Sequence, residues 1–152
     1  MTAGPQGYLN LLLFSVQGVR FGIEAEQALE TALYSGEEAE DLFWLHELLQ
    51  YRIPVSPYLA PAVVTVGARQ GARRRVIIDG MEEIAEYAIS DMRPLPAACE
   101  KLCLRNGIWG VLPRRGELTL LLDLLALFGR RDQEAPKPPQ VDTDDTQGAM
   151  QQ

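Results

Sequence analysis

The sequence predicts a mainly β protein with short helices, built as small barrels rather than as a parallel α/β sheet. Three observations carry that reading. Apolar runs of strand length recur at close spacing, turn-forming residues stand between them, and helical spacing is confined to brief stretches. A length of 152 residues suits one domain or two small subdomains with a shared core.

Residues 1–7 read as a loose lead. Leu9–Val16 is an apolar run expected as a buried strand. Gln17-Gly18 makes a two-residue turn. Val19, Phe21 and Ile23 then alternate with Arg20, Gly22 and Glu24, the period of a strand with one buried face. Together the two runs predict a hairpin. Glu24–Leu33 is rich in Ala and Glu and predicts a short helix leading into a strand. Gly36–Asp41 is an acidic loop. Leu42, Leu45, Leu48 and Leu49 fall at helical spacing, so Asp41–Gln50 is expected as a helix capped by Asp41. Pro54, Pro57 and Pro61 mark a connection that neither a helix nor a central strand would tolerate.

A second β-rich half follows. Ala62–Ala68 predicts a strand, Gln70-Gly71 a turn, Arg73–Asp79 a strand and Ile84–Ile89 another. Pro94 and Pro96 break the chain. Leu104–Leu112 and Glu117–Leu122 flank Pro113-Arg114-Arg115-Gly116, which reads as a hairpin loop. Asp123–Phe128 is expected as a short helix capped by Asp123. From Asp132 onward the chain holds Pro, Gln, Asp and Thr with almost nothing to bury, which predicts a disordered tail over 132–152.

Composition narrows the function. The apolar fraction of 47% and charged fraction of 23% are those of an ordinary globular protein. No run approaches the roughly 20 apolar residues of a membrane-spanning helix, and the N-terminus lacks a basic stretch before Leu9–Phe14. A cytoplasmic location is the expectation. The net charge of −7 argues against nucleic-acid binding, which needs a basic surface. Cys99 and Cys103 are expected as reduced, buried thiols, since two ligands at that spacing do not make a zinc site.

The chemistry-bearing residues have plain readings. Arg69, Arg73, Arg74 and Arg75 predict a solvated hairpin edge, where basic side chains discourage edge pairing. His46 has no oriented nucleophile beside it and is expected as an exposed helix histidine. Glu37, Glu38, Glu40 and Asp41, and likewise Glu82, Glu83 and Glu86, read as solvated acidic faces. Trp44 and Trp109 are expected as core or interface anchors. No phosphate-binding loop, dinucleotide fingerprint, zinc-protease motif or nucleophile elbow occurs. No catalytic residue, cofactor or metal is expected, and a binding role is favoured over an enzymatic one.

Several segments, in order and spacing, resemble the CheW-like domain of chemotaxis coupling proteins. Val76-Ile77-Ile78-Asp79-Gly80-Met81 is similar to the family's apolar strand ending in Asp. Ile89–Pro96 resembles its passage into Pro-x-Pro. Gly107-Ile108-Trp109-Gly110-Val111 and Leu118–Leu124 resemble its last strands and closing helix start. Less closely, Leu12–Val16 with Val19–Ile23 resembles the opening hairpin, and Leu45–Leu49 the first helix, with Trp44 where the family has Asp. Family members carry an Asn-Leu-Arg-Gly segment with flanking strands before that helix. Here Tyr34–Asp41 is too short to hold it, and Arg75 stands where many members have a small residue.

The resemblance implies a single domain over residues 8–128 with two five-stranded, SH3-like barrel subdomains, about 8–60 and about 61–128. The first is shortened, and residues 1–7 and 132–152 are tails. It implies a non-catalytic adaptor in bacterial two-component signalling, with a CheA-type histidine kinase and a chemoreceptor cytoplasmic tip as partners, and no nucleic acid or membrane insertion. By position it places Ala28 and Glu30 in the receptor-facing strand region. The missing segment leaves open a divergent protein with another partner or with self-association.

Overall fold

The computed structural model describes residues 7–52, 54–67, 73–82 and 84–134. Strands β1 (Tyr8–Val16) and β2 (Val19–Glu24) form the expected hairpin, with Phe14 opposite Phe21. Gln17 and Gly18 both take positive φ, 53° and 82°, the turn whose twist suits antiparallel strands. A single helical turn, Ala25–Gln27, leads into β3 (Ala28–Leu33), matching the short helix and strand expected there.

The next stretch departs from expectation. Leu42–Trp44 is a strand, β4, and only Leu45–Leu48 is helical, as α1. Helical spacing lost because Leu42, Phe43 and Trp44 pair in parallel with Arg75, Val76 and Ile77. Asp41 caps no helix; its carboxylate binds Arg75 instead.

Strands β5 (Ala62–Gly67), β6 (Arg73–Ile78) and β7 (Ile84–Ala88) lie where expected. The Gln70-Gly71 turn and Ala68 fall outside the described residues. Helix α2 spans Glu100–Arg105, too short to show a period in the sequence, and it takes Leu104 from the strand expected over Leu104–Leu112, which begins only at Ile108. Strands β8 (Ile108–Arg114) and β9 (Glu117–Leu122) form a tighter hairpin than expected. Pro113 belongs to β8 and pairs with Leu118, leaving only Arg115-Gly116 as the turn. Helix α3 (Leu124–Glu134) extends past Phe128; residues 135–152 lie outside the described residues.

The strands make two curled sheets. One has five strands in the order β7-β1-β2-β9-β8, the other four in the order β3-β5-β6-β4. The five-stranded sheet draws on both ends of the chain and the four-stranded sheet on its middle. A division near residue 60 therefore falls inside the four-stranded sheet, between β4 and β5, so the sheets do not follow it. The five-stranded sheet closes on itself. Beyond β7, Arg93 N–H donates to Val111 O at 2.8 Å and Val111 N–H to Arg93 O at 3.0 Å, joining that end to β8. Gly110 permits this approach, since a Cβ there would stand 3.0 Å from Arg93 O.

Burial follows from this arrangement. Leu11, Leu13, Leu112 and Leu121 form a small cluster, with Leu9, Tyr87 and Met92 packed against it. Leu12, Phe14, Val16, Phe21 and Ile23 join the larger core with Val64, Val66, Val76 and Ile78 of the other sheet. Strand β1 thus feeds both clusters, which is why its sequence is a continuous apolar run rather than an alternation. Leu124, Leu127 and Phe128 bring α3 into the same core.

The residues that carried the resemblance do structural work. The Asp79 carboxylate accepts backbone N–H groups of Leu59, Ala60 and Gly80 at 3.0, 2.6 and 3.0 Å, fixing the proline-rich connection. Gln17 ties the same connection down through two 2.8 Å bonds to Ser56. Asp123 caps α3 by accepting Ala126 N–H at 3.0 Å, and Gln27 bridges Asp123 and Leu124 N–H at 2.9 Å each.

Candidate protein-docking surface

The four-stranded sheet is the less complete of the two, and its rim forms the candidate site. Its end strands are β3 and β4, and among the described residues no strand covers the outer edge of either. The link between them is Tyr34–Asp41, the stretch too short for the segment that the resemblance leads one to expect. The sheet is open where the chain is short.

Side chains take over part of that closure. The Tyr34 ring, just after β3, meets the Trp44 ring at the end of β4 edge-on, centroids 5.3 Å apart. Tyr58 stands edge-on to Trp44 at 4.8 Å and lies 5.6 Å from His46. His46 N–H donates to Tyr58 Oη at 3.3 Å, and His46 Nδ1 lies 2.9 Å from the same oxygen. Burial pushes the Tyr58 phenol up to about 12. His46 is thus half-buried among aromatic rings, not the exposed helix histidine expected. Its polar partner is a phenol, so no nucleophile–base–carboxylate relay is built on it.

The arginines of β6 also depart from expectation in part. Arg73 is exposed as expected, but Arg75 is not at an edge, because β4 pairs with β6 over Arg75–Ile77. Arg75 grips Asp41 at 2.9 and 3.1 Å and lies 3.7 Å from Glu37. Its guanidinium is the main reason the Asp41 carboxyl titrates below its usual range; Glu37 is lowered mainly by backbone and Ser35 hydrogen bonds. Arg74 reaches Asp132 on α3 at 2.6 Å and lies over the Phe128 ring at 5.5 Å. Arg69 and Glu83 fall outside the described residues. Glu82 joins Glu117 around Arg20.

The strand β3 itself is exposed on both faces. Leu29 is 51% and Leu33 84% exposed, and Leu59 on the neighbouring connection is 92% exposed. A bulge at Leu29 separates the two residues named from sequence. Ala28 pairs with Val66 and packs against the core, while Glu30 pairs with Thr65 and lies in solvent. They share a strand but not a face. Trp44 was expected as an anchor, but sequence reasoning missed Leu29, Leu33 and the partners of Trp44, Tyr34 and Tyr58. Leucines in a strand read as core, and only the strand order shows that nothing covers these.

The remaining candidates are ordinary. Cys99 and Cys103 are free but partly exposed rather than buried, and burial raises the Cys103 thiol. Trp44 belongs to the aromatic group, whereas Trp109 sits on β8 at 36% exposure. Among the described residues no helix is long and apolar enough to cross a membrane.

No protein-family profile matches the chain, and no curated protein matches it. Among solved structures, the scaffolding protein TtCheW from Thermoanaerobacter tengcongensis superposes with a TM-score of 0.59, over 80% of this chain and 93% of that one, at 13% identity. The chain has a CheW-like fold. At that identity the likeness shows architecture alone. The two curled sheets are consistent with two small β subdomains, although each sheet crosses the division near residue 60.

Proposed function

We propose that this protein is a non-catalytic adaptor in bacterial chemotaxis or a related two-component pathway, linking a CheA-type histidine kinase to a chemoreceptor cytoplasmic tip. The observation that carries it is the superposition on a scaffolding protein over most of both chains. The ordered motifs at residues 73–128 support it. On this reading residues 8–128 work as one domain in the cytoplasm, and contact is made by side chains and strand edges alone. Glu30, flanked by Leu29, is the receptor-facing position; Ala28 supports it from the core side.

A second reading keeps the fold and changes the partner. The uncovered edge of β3, with Leu29 and Leu33 exposed, suits addition of a strand from another protein or a second copy. The two readings separate in one experiment. Purified protein is incubated with the kinase regulatory domain and a receptor tip from the same genome, and complexes are resolved by size-exclusion chromatography. Coupling predicts a complex with at least one of them, weakened about tenfold or more by Glu30→Arg. No complex with either, together with self-association lost in Leu33→Lys, would replace the first reading with the second.

A further inference from the structure

A different face carries a feature that the adaptor reading does not use. Where the end of α1, helix α2 and helix α3 meet, two adjoining hollows of about 410 and 510 Å³ share Leu102 and Arg105. Arg52, Lys101, Arg105 and Arg130 ring them, with Leu49 and the 62%-exposed Leu102 supplying apolar floor. Arg131 adds a fifth cationic side chain to one hollow. This is a local excess of positive charge on a chain whose net charge is −7.

Arginines elsewhere differ in how they are neutralised: Arg93 donates to Ser90 O and Arg114 lies over the Tyr87 ring, neither in an ion pair among the described residues. Arg20, Arg74 and Arg75 are each held by carboxylates. Among the described residues, no ion pair holds Arg52, Lys101, Arg105 or Arg130, and no carboxylate lines either hollow. Like charges gathered around one groove repel one another and favour an anionic occupant.

We propose that this groove between α1, α2 and α3 docks an acidic segment of a protein partner, one that carries leucine-like side chains among its carboxylates. Arginine forks take carboxylates, and the exposed Leu102 takes an apolar side chain. A protein segment fits better than a nucleic acid. The basic area is short and the chain around it is acidic, so a long polyphosphate would be repelled beyond the groove. The groove lies on elements other than β3 and stands or falls independently of the adaptor reading.

The test uses the full chain and a fluorescein-labelled peptide of glutamate, leucine and alanine, read by fluorescence anisotropy. Binding is expected, weakening as salt is raised. Arg105→Glu with Arg130→Glu should lower affinity about tenfold or more, while Arg115→Glu on the β8–β9 turn should leave it within about twofold. All these positions are exposed, and an unchanged far-UV spectrum and unfolding midpoint show that the variants fold. Equal binding of a peptide with lysine for glutamate overturns the proposal, as does affinity unmoved by the double reversal. Competition by phosphatidylserine vesicles or inorganic polyphosphate as effective as unlabelled peptide would also overturn it. So would self-association abolished by the reversal, or affinity that appears only when Asp142, Asp144 and Asp145 are changed to Asn, since the occupant would then be a second copy or the chain's own tail.

Discussion

The two sheets solve the same closure problem with different means. The five-stranded sheet ends in a backbone bridge, Arg93 to Val111, and its interior is leucine packed on leucine. The four-stranded sheet has no strand for that role among the described residues, and rings from Tyr34, Trp44 and Tyr58 meet across its open end. That bridge ties the chain just beyond β7 to β8 by backbone alone. Closure by side chains leaves β3 unpaired on one side, with Leu29 and Leu33 in solvent. Both sheets supply the core, but the four-stranded one also leaves an apolar strand edge in solvent.

The largest expected effect contrasts one leucine from each sheet. Leu121 is fully buried in the closed sheet, and Leu121→Ala should cost about 2–5 kcal/mol in urea unfolding. Leu33→Ala, in the open sheet, should fall within about 0.5 kcal/mol of the parent. Equal losses at the two positions would break the comparison, since β3 would then be covered in solution.

Next comes the joint between the sheets. Asp79→Ala leaves three backbone N–H groups without their acceptor and should cost about 1–3 kcal/mol. Asp123→Ala, which removes a cap and the bond from Gln27, should cost about 1–2 kcal/mol. Thermal unfolding of both variants measures this, and a wild-type midpoint for Asp79→Ala would remove the role assigned to its carboxylate.

The aromatic closure is testable through Tyr58. Its phenol is held protonated to about 12, above the ordinary 10.0. A raised folded pKa contributes stability that is fully present below the unfolded value and is lost as pH climbs through the folded one. Absorbance titration should show a late tyrosine that disappears in Tyr58→Phe, and unfolding midpoints should drop between about pH 10 and pH 12 in the parent more than in the variant.

The smallest effect belongs to the Arg75 ion pairs. The Asp41 carboxyl is lowered from 3.8 chiefly by Arg75, so the contribution of that pair exists above 3.8 and fades as pH falls through the lower folded value. Both partners are largely solvated, so Arg75→Met should differ little from the parent at neutral pH, with the difference vanishing in acid. Unfolding midpoints from pH 7 down to about pH 2 check it.

Much of this was legible because it is local. The β1–β2 hairpin was readable from a two-residue turn between an apolar run and an alternating one. The α3 cap was readable because Asp123 precedes its helix directly. The same sequence misled at Asp41–Gln50, where leucine spacing matched a helix but pairing with β6 made Leu42–Trp44 a strand. It misled at Arg75 too, because a basic strand reads as an edge until its neighbours on both sides are known. Of the candidate site, Glu30 and Trp44 were named from sequence, but Leu29, Leu33, Tyr34 and Tyr58 were not.

By itself, then, the sequence determined the β-rich class, the Gln17-Gly18 turn, the Asp123 cap and the shortness of the link at Tyr34–Asp41, all properties of contiguous residues. The tertiary structure decided which strands lie at an edge, which leucines stay uncovered and which cations gather around α2. Those depend on residues far apart in the chain meeting in space, and neither periodicity nor composition encodes that meeting.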